Sequence, residues 1–191
     1  SAAVQVFEST RGLKNGNDVE FENKMLEATL GPGLLSSSYD GLQNDLTTMT
    51  GVFLKRGEYT NPLNHEKLWD YTPIAKPGDK VVAADWLGEV KEGWLPHKIM
   101  VPFSFQGEYT VKSVAEAGQY NIDKVVAVLT DASGEDVEVT MWQKWPVKVA
   151  IKGYKDKPRP SKIMETGVRA IDTLNPIAEG GTGFIPGPFG C

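Results

Sequence analysis

From Gly51 to Trp145 the chain never keeps one periodicity for long, and this constrains its fold more than any other feature. Pro62, Pro73, Pro77 and Gly78 cut the stretch into short pieces, and no amphipathic run exceeds a turn or two of helix. What remains are brief apolar or alternating segments: Val81-Val82, Trp86–Val90, Ile99–Val101, Tyr109–Val111 and Lys124–Thr130. After a turn at Asp131–Gly134, Val137, Val139 and Met141 alternate with Glu138, Thr140 and Trp142. The spacing predicts an all-β middle built from short strands.

The flanks read differently. Ala3–Glu8 alternates like a strand in progress, and Asn15-Gly16 predicts a hairpin whose far strand carries Leu26, Ala28 and Leu30 on one face. Leu34–Leu46 carries Ser36–Ser38 and Asp40-Gly41, with room for a short helical turn. Beyond Trp145-Pro146, Gly153–Pro160 has the Lys/Pro composition of an extended linker. Val168, Ile171 and Leu174 then predict a short helix ending before Pro176. Gly180-Gly181-Thr182-Gly183 leads into a short apolar strand, Phe184-Ile185-Pro186. Both ends look cut, so the reading expects a piece of a longer chain.

Composition narrows the partners. The 191 residues carry a net charge of −5 with no basic run, which argues against nucleic acid. The longest apolar run, Val125–Leu129, is too short to cross a bilayer, and no charged-then-apolar leader opens the chain. The single cysteine, Cys191, excludes an internal disulfide and a multi-thiolate zinc site. His65 and His97 stand apart, each without a neighbouring His or Cys, so no metal is expected. Asp123, Asp131, Glu135, Asp136 and Glu138 read as a solvated acidic face. Trp69, Trp86, Trp94, Trp142 and Trp145 read as core or rim, with a docking face as the alternative.

One pattern carries chemistry. Gly187-Pro188-Phe189-Gly190-Cys191 fills the first five positions of the phosphate-loop pattern G-x-x-x-x-G-K-[S/T]. In that loop, glycines let backbone N–H groups close around phosphate while Lys supplies charge and Ser/Thr holds Mg²⁺. Alone, these five residues also fit an ordinary Pro/Gly turn.

The run Val168-Arg169-Ala170-Ile171-Asp172-Thr173-Leu174-Asn175-Pro176 through Gly180-Gly181-Thr182 to Ile185-Pro186-Gly187-Pro188-Phe189-Gly190 resembles the catalytic A subunit of V-type ATPases. Gly31-Pro32-Gly33-Leu34-Leu35, Tyr39–Gln43, Phe53-Leu54-Lys55-Arg56-Gly57 and Trp142–Val147 are similar to further motifs of that family, so the resemblance covers essentially the whole chain. It implies a mainly β piece in four parts. These are the end of an N-terminal β-barrel (1–30), a connector (31–50), a β bulge insertion (51–145), and a linker with a short α/β entry to a truncated P-loop domain (146–191). Asn44-Asp45, Lys148 and the stretch Ala150–Ile163 depart from the family pattern and point to a bacterial V/A-type enzyme.

The same resemblance implies ATP hydrolysis or synthesis coupled to H⁺ or Na⁺ transport, with ATP/ADP and Mg²⁺ as ligands of the intact subunit. It implies a non-catalytic B subunit, a central stalk and a peripheral stator stalk as partners, with no direct membrane insertion. The location implied is cytoplasmic, peripheral to the membrane in the soluble head. Gly187, Pro188, Phe189, Gly190 and Cys191 become a partial nucleotide-binding loop. No catalytic residue falls inside the chain, which is therefore expected to be inactive by itself. Loop amides would favour the Cys191 thiolate and make it redox-sensitive, while a small filler is the other reading. A competing reading comes from Lys76–Val82 followed by Gly88-Glu89-Val90, whose rhythm resembles biotinyl and lipoyl carrier domains. No suitably flanked Lys accompanies it, so it implies a barrel-sandwich-like fold and a structural or stator-contact module rather than a carrier.

Overall fold

Short strands joined by tight turns dominate the computed structural model, which describes residues 9–21, 23–35, 37–49, 51, 59–152, 156, 159–184 and 186–187. Ten strands occur among the described residues. They are β1 (Glu27–Leu30), β2 (Trp69–Pro73), β3 (Lys80–Val81), β4 (Trp86–Glu92), β5 (Leu95–Met100), β6 (Tyr109–Val114), β7 (Gly118–Tyr120), β8 (Ala127–Thr130), β9 (Asp136–Val139) and β10 (Gln143–Pro146). One helix, α1 (Arg169–Leu174), follows. The chain divides into two compact units, Ser1–Gly153 and Tyr154–Cys191.

In the first unit every strand pairing is antiparallel. One sheet runs β5-β4-β2-β7, a second runs β3-β6-β8-β9, and β1 pairs with β10 in a separate ribbon. Two apolar clusters fill the interior. The first gathers Leu63, Trp69, Tyr71, Val90, Ile99, Ile122, Val126 and Met141. The second gathers Val81, Leu87, Val101, Val111, Ala127, Leu129 and Val139, so it takes side chains from both four-stranded sheets. Neighbours along β4 therefore serve different cores: Leu87 enters the second cluster while Val90 enters the first. A register shift also falls between Trp86 and Gly88, with Trp86 opposite Met100 and Gly88 opposite Ile99. Leu87 is the extra residue of a β-bulge, which re-aims the strand. A second shift, between Val111 and Ser113, does the same in β6.

Glycine is required where backbones or rings come close. A Cβ on Gly88 would lie 2.3 Å from the ring of Tyr71, which is fully buried across the β2–β4 ladder. Burial, with the nearby Tyr120, pushes the Tyr71 hydroxyl up to about 12. Gly31 is jammed in the same way: a Cβ there would lie 2.9 Å from Trp142 Cβ and 3.0 Å from Leu63 Cδ1.

The mainly β class expected from the sequence is what the structure shows, with β3, β4, β5, β6, β8, β9 and α1 near their expected positions. Asn15-Gly16 makes a turn, but no strand flanks it within residues 9–21. The apolar residues beside that turn, Leu13, Val19 and Phe21, stay exposed, and an isolated hairpin is marginal in water. Strand β1 pairs instead with β10: Ala28 stands opposite Trp145 and Thr29 opposite Lys144. Residues 37–46 form turns and one isolated bridge, Tyr39–Asp45, rather than a helical turn. The strand expected from Phe184 to Pro186 is not formed at residues 184 and 186, and Ile185 lies outside the described residues. The segments 1–8 and 53–57 also lie outside them.

Candidate functional site

In the second unit, the approach to the glycine-rich run is built from one short helix and a bridge. Asp172, in the first turn of α1, reaches back to accept hydrogen bonds from Thr166 N (3.0 Å), Thr166 Oγ1 (2.6 Å) and Gly167 N (3.0 Å). These bonds, Thr166 first, hold its carboxyl below the ordinary aspartate value. Asp172 thus ties the chain entering α1 to the helix itself. Past the helix, Met164 N donates to Ile177 O (2.8 Å), Ile163 bridges Ala178, and Lys162 pairs with Glu179 at 2.8 Å. Gly181 N then donates to Ala178 O, and Gly180, at φ +77°, turns the chain. Of the five expected loop residues, Gly187 is described and exposed. Pro188, Phe189, Gly190 and Cys191 lie outside the described residues, as does any test of Cys191 as a redox-sensitive thiol.

In the first unit, the Lys76–Val82 rhythm is turn chemistry. Asp79 Oδ2 accepts from Lys76 N (2.8 Å), and Gly78 N, at φ +94°, donates to Val111 O (2.8 Å). Lys80 pairs with Glu108 at 2.7 Å. The histidines belong to two separate clusters. His65 Nδ1 lies 2.7 Å from Asp123 Oδ2, while Asp123 Oδ1 accepts from Trp142 Nε1 at 2.8 Å. The His65 contact, helped by the Trp142 bond, holds Asp123 below its ordinary value against the opposing effect of burial. His97 Nδ1 lies 2.7 Å from Glu92 Oε2. Glu92, only 5% exposed, uses its other oxygen to accept from Gly33 N (2.7 Å) and Leu35 N (3.2 Å). A buried carboxylate at the end of β4 therefore clamps the Gly-Pro-Gly-Leu-Leu segment to the β4–β5 hairpin. No group of three or more metal-ligating side chains occurs among the described residues.

Beside that clamp is a groove of about 490 Å³, lined mainly by hydrocarbon from Leu30, Leu34, Leu95, Ile99, Phe103 and Met141. His97 and Lys98 are its titratable members. The five tryptophans separate: Trp69 is core, Trp142 packs against it, Trp145 is half-buried, Trp86 is exposed, and Trp94 is 90% exposed on the tip of the β4–β5 hairpin.

Residues 60–148 match the family model described as the ATPsynthase alpha/beta subunit barrel-sandwich domain. Over 193 residues the chain is 47% identical to the V-type ATP synthase alpha chain of Treponema denticola, covering all of this chain and 33% of that protein. With the V-type ATP synthase alpha chains of Borrelia garinii subsp. bavariensis and Borrelia hermsii it is 48% and 49% identical over 191 residues, or 98% of this chain and 33% of each. Along its whole length the chain is therefore similar to V-type ATP synthase alpha chains. It spans about a third of the length of these alpha chains. The family match gives residues 60–148 a barrel-sandwich fold, the one expected from the carrier-like rhythm. No helix among the described residues is long and apolar enough to cross a membrane.

Sequence reasoning missed the residues that organise this piece. Glu92 carried a signal, a carboxylate on the same strand phase as buried Gly88 and Val90. Asp123 and Asp172 carried none, because their partners are a distant His and Trp in one case and a pre-helical Thr in the other.

Proposed function

We propose that this chain is the front part of the catalytic subunit of a rotary V-type ATPase, whose parent protein couples ATP hydrolysis or synthesis to H⁺ or Na⁺ transport. The observation that carries this reading is similarity along all of the chain, at 47% identity, to a protein named as a V-type ATP synthase alpha chain. In this reading residues 1–30 end the N-terminal barrel, 31–50 connect, 51–145 are the bulge, and 146–191 lead to the nucleotide domain. Gly187 to Cys191 open the phosphate loop, with Cys191 as a thiol activated only once the loop is complete. ATP/ADP and Mg²⁺ would be held by residues that follow, so this chain supplies no side chain for phosphoryl transfer and is inactive alone. The non-catalytic B subunit and the two stalks are the partners of the parent, a peripheral component of the cytoplasmic head.

The parent gene should continue past the Cys191 codon with Gly-Lys-Thr or Gly-Lys-Ser. The parent with its B subunit should then release phosphate from Mg·ATP, while the 191-residue chain should not exceed a buffer blank. A stop codon or unrelated residues there would overturn the assignment, and turnover by the short chain would overturn its inactivity. One observation favours a second description, a structural β module: all fifteen side chains of the two apolar clusters come from Leu63–Met141, within the barrel-sandwich match. Stalk binding by an otherwise intact barrel-sandwich, lost on Trp94→Ala without loss of fold, would support it.

A further inference from the structure

We propose that Asn15 is a site of spontaneous covalent modification, converting to aspartate and isoaspartate through a succinimide. The chemistry is internal to the turn. The Gly16 backbone nitrogen loses its proton to water and attacks Asn15 Cγ. The bond from Cγ to the amide nitrogen breaks, and ammonia leaves with the proton it needs. Water then opens the ring at either carbonyl, giving an α- or a β-linked acid, with no oxidant, reductant or enzyme required.

Three features of the turn open this route. The Asn15 side chain and the Gly16 N–H have no hydrogen-bond partner among the described residues. The bonds that close the turn, Lys14 N to Asn17 Oδ1 (2.8 Å) and Asn17 N to Lys14 O (3.3 Å), leave both reacting groups out. Gly16, at φ +91° and with nothing within 4 Å of its Cβ position, offers the attacking nitrogen no steric shield.

Every other asparagine lacks one of these features. Asn61 and Asn175 precede Pro62 and Pro176, which have no N–H to attack with. Asn44 is buried, with its amide held by Thr60 N and Asp40 Oδ2. Asn64 accepts from Glu66 N and Lys67 N, and Asn17 from Lys14 N. Asn23 and Asn121 precede Lys24 and Ile122, whose side chains crowd the attacking atom. The Asp40-Gly41 pair has the same skeleton but is locked. Its Oδ1 accepts from Leu42 N and Asn44 N, its Oδ2 from the Asn44 amide, and the Asn44 bond keeps the carboxylate ionised and a poor electrophile.

Conversion adds one negative charge to a chain that already carries −5, and the isoaspartyl form also lengthens the backbone by one carbon. Incubating the purified chain in neutral and mildly alkaline buffer, followed by peptide mapping and enzymatic isoaspartate methylation, tests the proposal. The peptide carrying Asn15 should gain about 1 Da, the mass change of amide to acid, and accept methyl label faster than any other, sooner at the higher pH. Asn15→Gln should abolish the label and Gly16→Ala should slow its appearance. The native chain should convert at nearly the rate of the urea-unfolded one. Conversion of Asn15 no faster than Asn17 or Asn64, insensitivity to Gly16→Ala, or strong protection in the native chain would each overturn it.

Discussion

Gly88 and Glu92 show how single side chains decide the packing of this protein. Placing a methyl group on Gly88 pushes it into the Tyr71 ring, which is buried and has nowhere to move. Gly88→Ala should therefore cost about 1–3 kcal/mol, read as a lower urea midpoint at unchanged slope. Glu92→Ala should cost about 3 kcal/mol, because Gly33 N, Leu35 N and His97 lose their shared buried acceptor. Its signature should be faster amide exchange at Gly33 and Leu35. Acid should act through Asp40, Asp123, Asp136 and Asp172, all held below the ordinary 3.8 by hydrogen bonds that favour the ionised form. Groups with depressed folded values stabilise the fold above the unfolded value and lose that contribution as pH falls through the folded one. Thermal unfolding should thus be level above about pH 5 and fall steeply below pH 3.8, where the unfolded chain takes up protons first.

Among elements, the β1–β10 ribbon is the least embedded, and its outer edge is closed by a side chain. Gln43 Oε1 accepts from Thr29 N and Gln43 Nε2 donates to Thr29 O, both at 2.7 Å, so one amide stands in for a neighbouring strand. Gln43→Ala should raise amide exchange at Thr29 and leave exchange in β4 and β8 unchanged, since neither apolar cluster draws on β1. The strands legible in the sequence were those with clear alternation or apolar runs, such as β4, β8 and β9. Strand β2 was not, because Pro73 reads as a break; it is in fact the last residue of the strand, opposite Gly88. Strand β7 has three residues with a Gly, too few for any period to register. Strand β10 was visible as a family motif rather than a strand, since its partner β1 lies more than a hundred residues away. Of the candidate site, residues 188–191 were legible only as pattern, and they lie outside the described residues.

At the scale of the whole molecule, the two clusters share strand β4, so they should melt together. A piece spanning residues 60–148 should give one cooperative unfolding transition by circular dichroism and tryptophan fluorescence. Two resolved transitions would show that the clusters are separable. The shared strand also fixes a parity. With the extra residue at Leu87, side chains before it and after it answer to opposite faces, and a single inserted or deleted residue between Trp86 and Glu92 would exchange inside for outside along the remainder. Buried Val90 and the Glu92 clamp would then point to water, and Glu89 and Lys91 to the core. Length variation in related chains should accordingly collect at exposed corners such as Asp131–Gly134, while the count of residues along β4 stays constant.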